Sequence, residues 1–232
     1  MLERWLLGVL SMGILTLSSI PCKVALGQGG DVTTQLTSRK TIDLPKPTLH
    51  GPSSLEDALA KRRSVREFSN EPLADKLLSQ ILWAAQGITD PEGYRTAPSA
   101  GALYPLETYI AIPEGLYHYE PRGHRLKRIV EGDLRPGLFE AALEQEAVRD
   151  AAAVFVIAAV YERTARKYGE ARAIRYVNME AGHAAQNVLL EAVALGLGAV
   201  PIGAFHDTRV QKVLSLPAEQ QPLYLIPVGH PR

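Results

Sequence analysis

The sequence predicts an α+β domain in which helices and strands alternate along the chain, built on a mixed central β-sheet flanked by helices. Three observations carry that expectation. Residues 153–160 form a continuous apolar run, the pattern of a central strand buried on both faces. Residues 171–195 place Val177, Ala181, Ala184, Ala185, Val188, Ala192 and Leu195 on one face of a long helix. Residues 115–120 and 124–130 flank Pro121-Arg122-Gly123, a turn signal between two strands. Long helices combined with hairpin and crossover strands point to α+β.

The other elements follow from local signals. Ser54 is placed to cap a short helix whose third residue, Asp57, is acidic. Pro72 opens a second helix with Leu73, Leu77, Leu78, Ile81 and Leu82 on one face and Gly87 as its stop. Residues 106–112, 199–202 and 223–228 read as strands, and 139–144 lie in a helix. Residues 28–53, rich in Thr, Gly and Pro, read as an extended arm without a core of its own. The domain proper is then residues 54–232.

Composition narrows the function. The chain has 232 residues, 46% hydrophobic and 22% charged, which suits one ordinary globular domain. Lys plus Arg (25) equals Asp plus Glu (25), so the basic excess of a phosphate-backbone binder is missing and nucleic acid is not an expected partner. One cysteine, Cys22, excludes an internal disulfide framework and a Cys-based zinc site. His50, His118, His124, His183, His206 and His230 are dispersed without ligand spacing, so no metal is expected. There is no Walker loop, HExxH or GxSxG, and Gly196-Leu197-Gly198 follows a helix with its third glycine at the wrong spacing for a dinucleotide fingerprint.

The first residues pose a separate question. Arg4 precedes an apolar run over residues 6–20, and Ala25-Leu26-Gly27 offers small residues at a signal-peptidase spacing. The run is shorter than the roughly 20 residues of a spanning helix. Residues 1–27 therefore read as a cleaved Sec-type secretory signal, and the protein as exported, with a cytoplasmic or membrane-anchored protein as the weaker alternatives. Pro21 stands where a small residue would precede a lipidated Cys22, and Arg4 has no arginine neighbour to make a twin-arginine signal. Without residues 1–27 the balance is 23 basic to 24 acidic side chains and no cysteine.

Four stretches carry candidate chemistry. In Lys61-Arg62-Arg63-Ser64-Val65-Arg66, an extended chain after Arg62 puts Arg62, Ser64 and Arg66 on one face, where two guanidinium forks and a hydroxyl suit a phosphate monoester. The same spacing suits a solvated basic helix end. Thr96 to Pro105 is a stiff loop of small residues between prolines against which a flat ligand could lie, or a plain surface loop. In Val200-Pro201-Ile202-Gly203-Ala204-Phe205, a backbone amide at Gly203 or Ala204 is open to a ligand with no side chain intervening. Lys167-Tyr168-Gly169 offers two proton-moving groups, or a snorkelling helix end.

Arg62-Arg63-Ser64-Val65-Arg66, Pro98-Ser99-Ala100-Gly101-Ala102-Leu103-Tyr104-Pro105, Glu180-Ala181-Gly182-His183-Ala184-Ala185-Gln186-Asn187 and Gly198-Ala199-Val200-Pro201-Ile202-Gly203 occur in that order. Together they resemble the flavin-dependent nitroreductase superfamily. Within it they are most similar to the SagB-type dehydrogenases, which oxidise azoline rings to thiazoles and oxazoles. The resemblance runs over residues 42–229. It implies a nitroreductase-like fold with FMN at a homodimer interface, and the long helix around Gly182 helping to pair the subunits.

By the family pattern, Arg62, Arg63, Ser64 and Arg66 hold the phosphate and ribityl end of FMN. Ser99 and its neighbours Pro98, Ala100 and Gly101 touch the flavin from the second subunit. Pro201, Ile202, Gly203 and Ala204 line the ring, with the main chain at Gly203 and Ala204 approaching N5. Lys167 and Tyr168 match the pair that removes a proton while hydride goes to N5. Two positions depart from the pattern. Gly203 stands where nitroreductases generally carry an acidic residue, in better agreement with the SagB-type branch. A basic phosphate clamp after the last strand is missing here or reduced to Arg232.

These expectations amount to an FMN oxidoreductase acting on a small or peptide-borne heterocycle. A NAD(P)H-fed reductase of nitro compounds or quinones on the same fold is the rival. A non-catalytic flavin-binding or partner-binding module is a third reading, motivated by the export signal.

Overall fold

A strand buried along its whole length, β5 (Ala153–Ala159), lies near the middle of the sheet in the computed structural model, which describes residues 40–232. The leader read over residues 1–27 lies outside the described residues, as does the arm up to residue 39. Side chains alternate across β5 as strand geometry requires. Ala153, Phe155, Ile157 and Ala159 enter one hydrophobic core, while Val154, Val156 and Ala158 enter a second core on the opposite face. That two-sided burial is why the segment is apolar without a break.

The other strands are β1 (Thr41–Asp43), β2 (Leu106–Ile112), β3 (Gly115–Glu120), β4 (Arg125–Glu131), β6 (Gly198–Ala199) and β7 (Gln221–Gly229), in the sheet order β1-β4-β3-β2-β5-β7-β6. All named strands pair antiparallel. The parallel pairing of a mixed sheet is confined to one isolated bridge, Ser64 to Ala199. That bridge positions the arginine segment described below. Within the arm, β1 adds an edge strand, with Ile42 opposite Leu126 and half-buried against the core.

Helices cover both faces, giving three layers. On the first core lie α2 (Asp75–Gln86) and the long α6 (Glu170–Ala194), through Leu78, Ile81 and Leu82 of the one and Val177, Ala181, Ala184 and Val188 of the other. On the second lie α3 (Arg135–Ala141), α4 (Glu146–Asp150) and α7 (Asp207–Val213). Two further helices, α1 (Leu55–Lys61) and α5 (Tyr161–Tyr168), pack against α6.

Most elements fall within a residue or two of expectation. Ser54 caps α1 by accepting from the Asp57 N–H at 3.1 Å. Gly87 ends α2, whose helical hydrogen bonding starts at Asp75, three residues after Pro72. The helix expected over residues 139–144 is displaced: α3 begins at Arg135, with Pro136 in its first turn, and stops at Ala141. Leu143 and Glu144 both adopt left-handed φ (58° and 56°), and the Glu144 N–H reaches back to Phe139 O at 2.9 Å, a left-handed helix terminus. The strand expected over 199–202 shortens to Gly198–Ala199, because Pro201 has no N–H to continue the ladder. Ile202 rejoins the sheet only by its bridge to Leu225.

Close approach explains one glycine in this region. A Cβ on Gly198 would lie 2.6 Å from Val65 Cγ1 and 2.8 Å from Val65 Cβ. Gly198 therefore allows the arginine segment to lie directly on the sheet edge. Gly198→Ala is expected to cost about 1–3 kcal/mol, the usual range for overpacking. At about 2–4 °C per kcal/mol for a domain of this size, thermal denaturation should show the loss, together with weaker ligand binding at the displaced segment.

Candidate active site

Two groups of candidate residues are assembled by different parts of the fold. The first begins where α1 ends. The Arg62 N–H closes the last turn on Ala58 O at 2.9 Å, and the chain then turns extended. The Val65 N–H donates to Ala199 O at 3.1 Å, and the Val65 side chain packs toward the second core. Alternation along the extended segment therefore sends Arg62, Ser64 and Arg66 to the other side. Ser64 and Arg66 are exposed and Arg62 is half-buried. Neither Arg62 nor Arg66 has an ion-pair partner among the described residues. Arg63 points its guanidinium elsewhere, donating to Ala60 O at 3.1 Å and Arg62 O at 2.7 Å, where it caps the last carbonyls of α1. The Arg232 N–H donates to Glu67 O at 3.3 Å, which brings the last arginine of the sequence beside this segment.

Downstream of β6, Ile202 and Leu225 exchange two backbone bonds of 2.8 and 3.0 Å, and the chain then leaves the sheet. Pro201 is half-buried, Ile202 buried, and Gly203 and Ala204 exposed. A Cβ on Gly203 would meet nothing within 4 Å. The loop is held by its carbonyl side: Gln145 Nε2 donates to Ala204 O at 2.8 Å. The Gly203 and Ala204 N–H groups have no protein partner among the described residues. Two successive free donors beside two unpaired guanidinium groups make a site for an electron-rich, phosphate-bearing ligand.

The second group is the loop 98–105. Pro98 and Gly101 are exposed, while Ser99 and Ala100 are half-buried. Gly101, Ala102 and Tyr104 all have left-handed φ (65°, 54° and 48°). Strain of that kind at two non-glycine residues persists only where surroundings over-determine it. Here the Tyr104 N–H donates to Ser99 Oγ at 2.9 Å, and the Tyr104 ring lies 4.4 Å beneath the Arg95 guanidinium.

Lys167 and Tyr168 form the last turn of α5, which stops at Gly169 with φ 79°. Tyr168 is half-buried, edge-on to Tyr176 at 5.2 Å, and Lys167 Nζ lies 5.5 Å from its ring centre. Both polar ends reach the loop: a Cβ on Gly101 would be 2.8 Å from Tyr168 Oη and 2.9 Å from Lys167 Nζ. Gly101→Ala would thus displace both ends and add the left-handed penalty of about 1 kcal/mol. The expected result is a folded protein with turnover lowered at least tenfold, read by comparing steady-state rates with the thermal midpoint.

No hydrogen bond, ion pair or ring contact joins the first group to the second among the described residues. A Cβ added to Gly182 of α6 would meet nothing within 4 Å, so no other described segment of the chain approaches the helix there.

Beneath the loop lies a polar cluster to which the sequence reading gives no role, although its Glu180 opens one of the family motifs. Glu180 of α6 is 3% exposed. Burial pushes its carboxyl up to about 7, against the opposing pull of a Ser99 hydrogen bond and the nearby Arg95 charge. Arg95 donates to Gln86 Oε1 at 2.8 Å, and burial lowers its pKa. A sequence signal for Glu180 does exist: it is a carboxylate inside the apolar stripe, three residues after Val177 and four before Ala184. Glu107 is a second omission. It pairs with His118 at 2.6 Å and accepts from Arg163; burial raises its pKa, and the hydrogen bonds and charges of these two partners together more than reverse that.

Comparison with known proteins decides the lineage. The nitroreductase family model matches residues 59–230, which include both groups. The chain belongs to the nitroreductase family. A nitroreductase-family protein of Methanocaldococcus jannaschii is 49% identical over 181 residues, covering 75% of this chain and 90% of that one. A protein of Thermus thermophilus named NADH dehydrogenase is 29% identical over 201 residues, covering 75% of this chain and 85% of that one. A nitroreductase-family crystal structure from Ralstonia eutropha superposes with a TM-score of 0.77 at 31% identity, covering 84% of this chain and 91% of that one. The fold is thus the nitroreductase fold, and the protein is an oxidoreductase of that family.

Proposed function

We propose that this nitroreductase-family protein is an FMN-dependent oxidoreductase that moves hydride between a small organic substrate and the flavin, with Lys167 and Tyr168 handling the accompanying proton. The observation that carries the reading is the convergence of Lys167 Nζ and Tyr168 Oη on Gly101, in the loop against which a flat ligand would lie.

The residues fit FMN. Arg62 and Arg66 are free to take the phosphate in charge-assisted bonds, with Ser64 between them on the same face. The free N–H groups at Gly203 and Ala204 favour negative charge on a reduced ring. When bound, FMN supplies a ring that exchanges hydride with the substrate. The chain's own part is to hold the phosphate, present two amides and keep an amine and a phenol hydroxyl together at the loop. Both are groups that can take up and pass on a proton, so the pair suits proton removal from a substrate.

The two groups of residues do not meet among the described residues of the chain, which supports a site completed across a homodimer. Leu55 and Leu59 of α1 and Ile174 and Met179 of α6 are 62%, 55%, 56% and 56% exposed. Apolar surface of that extent on two packed helices suits a subunit contact. The leader at residues 1–27 supports export of the mature chain.

Dehydrogenation of a heterocycle, as in the SagB-type enzymes, is the direction that the Lys167–Tyr168 pair favours. A NAD(P)H-fed reductase is the second reading, favoured by the similarity to the Thermus protein named NADH dehydrogenase. Anaerobic mixing separates them. Bleaching of the flavin by an azoline-bearing peptide, with NADPH and NADH inert, upholds dehydrogenation; rapid bleaching by either nicotinamide overturns it in favour of the reductase. A purified protein that is colourless and takes up no added FMN overturns both.

A further inference from the structure

We propose that Arg163 is a positioning residue that ties α5, and with it Lys167 and Tyr168, to the loop 98–105. The inference rests on the reading above that these two side chains handle the proton.

Helix α5 has little apolar burial to fix its rotation. Thr164 is its only buried residue, so polar contacts have to set where the helix sits against the loop. The Val160 N–H, just before the helix, donates to Pro105 O at 2.9 Å. Tyr161 Oη donates to Asn178 Oδ1 at 2.6 Å, which fastens the first turn to α6. Arg163 then reaches the loop and the sheet at once. Its Nη1 donates to Tyr104 O at 3.1 Å and its Nη2 to Glu107 Oε1 on β2. A planar guanidinium held at two nitrogens fixes direction as well as distance. Lys167 lies four residues on, so the tie and the working amine share one face of the helix, a turn apart.

Both ends of the tie are firm. The Glu107 side chain is 15% exposed, and its second oxygen lies 2.6 Å from His118 Nε2 of β3. An ionised carboxylate only accepts, so the hydrogen of that bond is carried by His118 Nε2. The His118 ring rests 4.8 Å from that of Tyr109, whose hydroxyl donates to Gln220 Oε1 at 2.7 Å. At the loop end, Tyr104 is a strained residue with φ 48°. All its polar groups are engaged: its N–H donates to Ser99 Oγ at 2.9 Å, its hydroxyl accepts the Arg95 N–H at 3.2 Å, and its carbonyl accepts from Arg163. Arg163 therefore belongs both to the surroundings that keep the loop in its strained shape and to the contacts that place the helix. One side chain thereby sets the spacing between Gly101 and the pair that converges on it.

The first arm of the test needs neither flavin nor substrate. In the wild-type protein the Tyr168 ring protons should show a nuclear Overhauser contact with the Gly101 α-protons, since Tyr168 Oη lies 2.8 Å from a Cβ built there. Arg163→Ala should abolish that contact while thermal melts show a folded protein, and Arg163→Lys, which keeps a cation without the fork, should retain it in part. An undiminished contact in Arg163→Ala overturns the proposal. The second arm measures steady-state turnover of an azoline-bearing peptide by the flavin-loaded enzyme. A misplacement of about 1 Å can cost about 10²-fold in rate, so Arg163→Ala should lower kcat by about 10–100-fold with KM and bound flavin little changed. In the Lys167→Ala/Tyr168→Phe background the same substitution should cost nothing further, because nothing remains to be positioned. An equal loss in both backgrounds marks a general structural effect and overturns the proposal. If the wild type turns over no substrate, the functional reading falls, and the Tyr168–Gly101 contact alone then decides the role of Arg163.

Discussion

Replacing Lys167 by Ala and Tyr168 by Phe together is expected to lower turnover by about 10²–10⁴-fold, the usual contribution of a positioned acid or base, while the protein keeps its fold and its flavin. The structure separates these effects. Lys167 is exposed and makes no ion pair among the described residues, so truncation removes little packing. Tyr168→Phe keeps the ring, its edge-on contact with Tyr176 and its half-buried position, and deletes only the hydroxyl at Gly101. Stability should shift by no more than about 0.5 kcal/mol. Neither side chain belongs to the arginine segment or the Gly203 loop, so bound flavin, read from the visible absorbance, should be unchanged. If the two groups act as a unit, each single variant should cost nearly as much as the double. A double variant with full turnover would remove the proton-handling role and leave the binding-module reading as the stronger one.

The fold is legible in the sequence wherever burial is regular. The strand at 153–159 and the helix at 170–194 are readable because each is buried against the core along most of its length, and burial imposes its period on the composition. Helix α5 escapes the pattern for the converse reason. In Tyr161–Tyr168 only Thr164 is buried, so charged residues dominate and no apolar stripe reveals the helix, although it delivers Lys167 and Tyr168 to the loop. The end of α3 falls elsewhere than expected because its terminator is a left-handed pair, Leu143 and Glu144, rather than a glycine.

The same division holds at the site. Arg62, Ser64 and Arg66 are readable by alternation, since an extended segment obeys a period of two whatever it touches. That Arg63 turns back onto the end of α1 is not readable, because the family pattern does not specify which carbonyls α1 leaves open. Arg95 and Glu180 depend on contacts between distant parts of the chain, Arg95 lying before the loop and Glu180 deep in α6. Glu180 opens one of the family motifs and is a carboxylate misfit in an apolar stripe; both signals point to a buried polar group without naming its partner.

The arginine segment gives the other large expected effect. Arg62→Ala with Arg66→Ala should weaken FMN binding by about 10²–10⁴-fold, since each charge-assisted bond contributes roughly 1.5–3 kcal/mol and the two guanidinium groups lie on one face four residues apart. The loss should be specific to the phosphate. Riboflavin, which has the ring and ribityl chain without the phosphate, should bind wild type and variant alike, because the Gly203 and Ala204 amides and the loop 98–105 are untouched. Fluorescence titration with both ligands makes the comparison. Wild-type affinity for FMN should also fall with added salt more steeply than that of the variant, as screening removes what the arginines supply. Arg63→Ala is the internal control: its guanidinium is committed to Ala60 O and Arg62 O, so its removal should loosen the end of α1 and change FMN affinity much less. Equal losses for FMN and riboflavin in the double variant would mean that this face holds the ring or the chain, and the phosphate would have to be sought nearer Arg232, whose N–H binds Glu67 O next to Arg66.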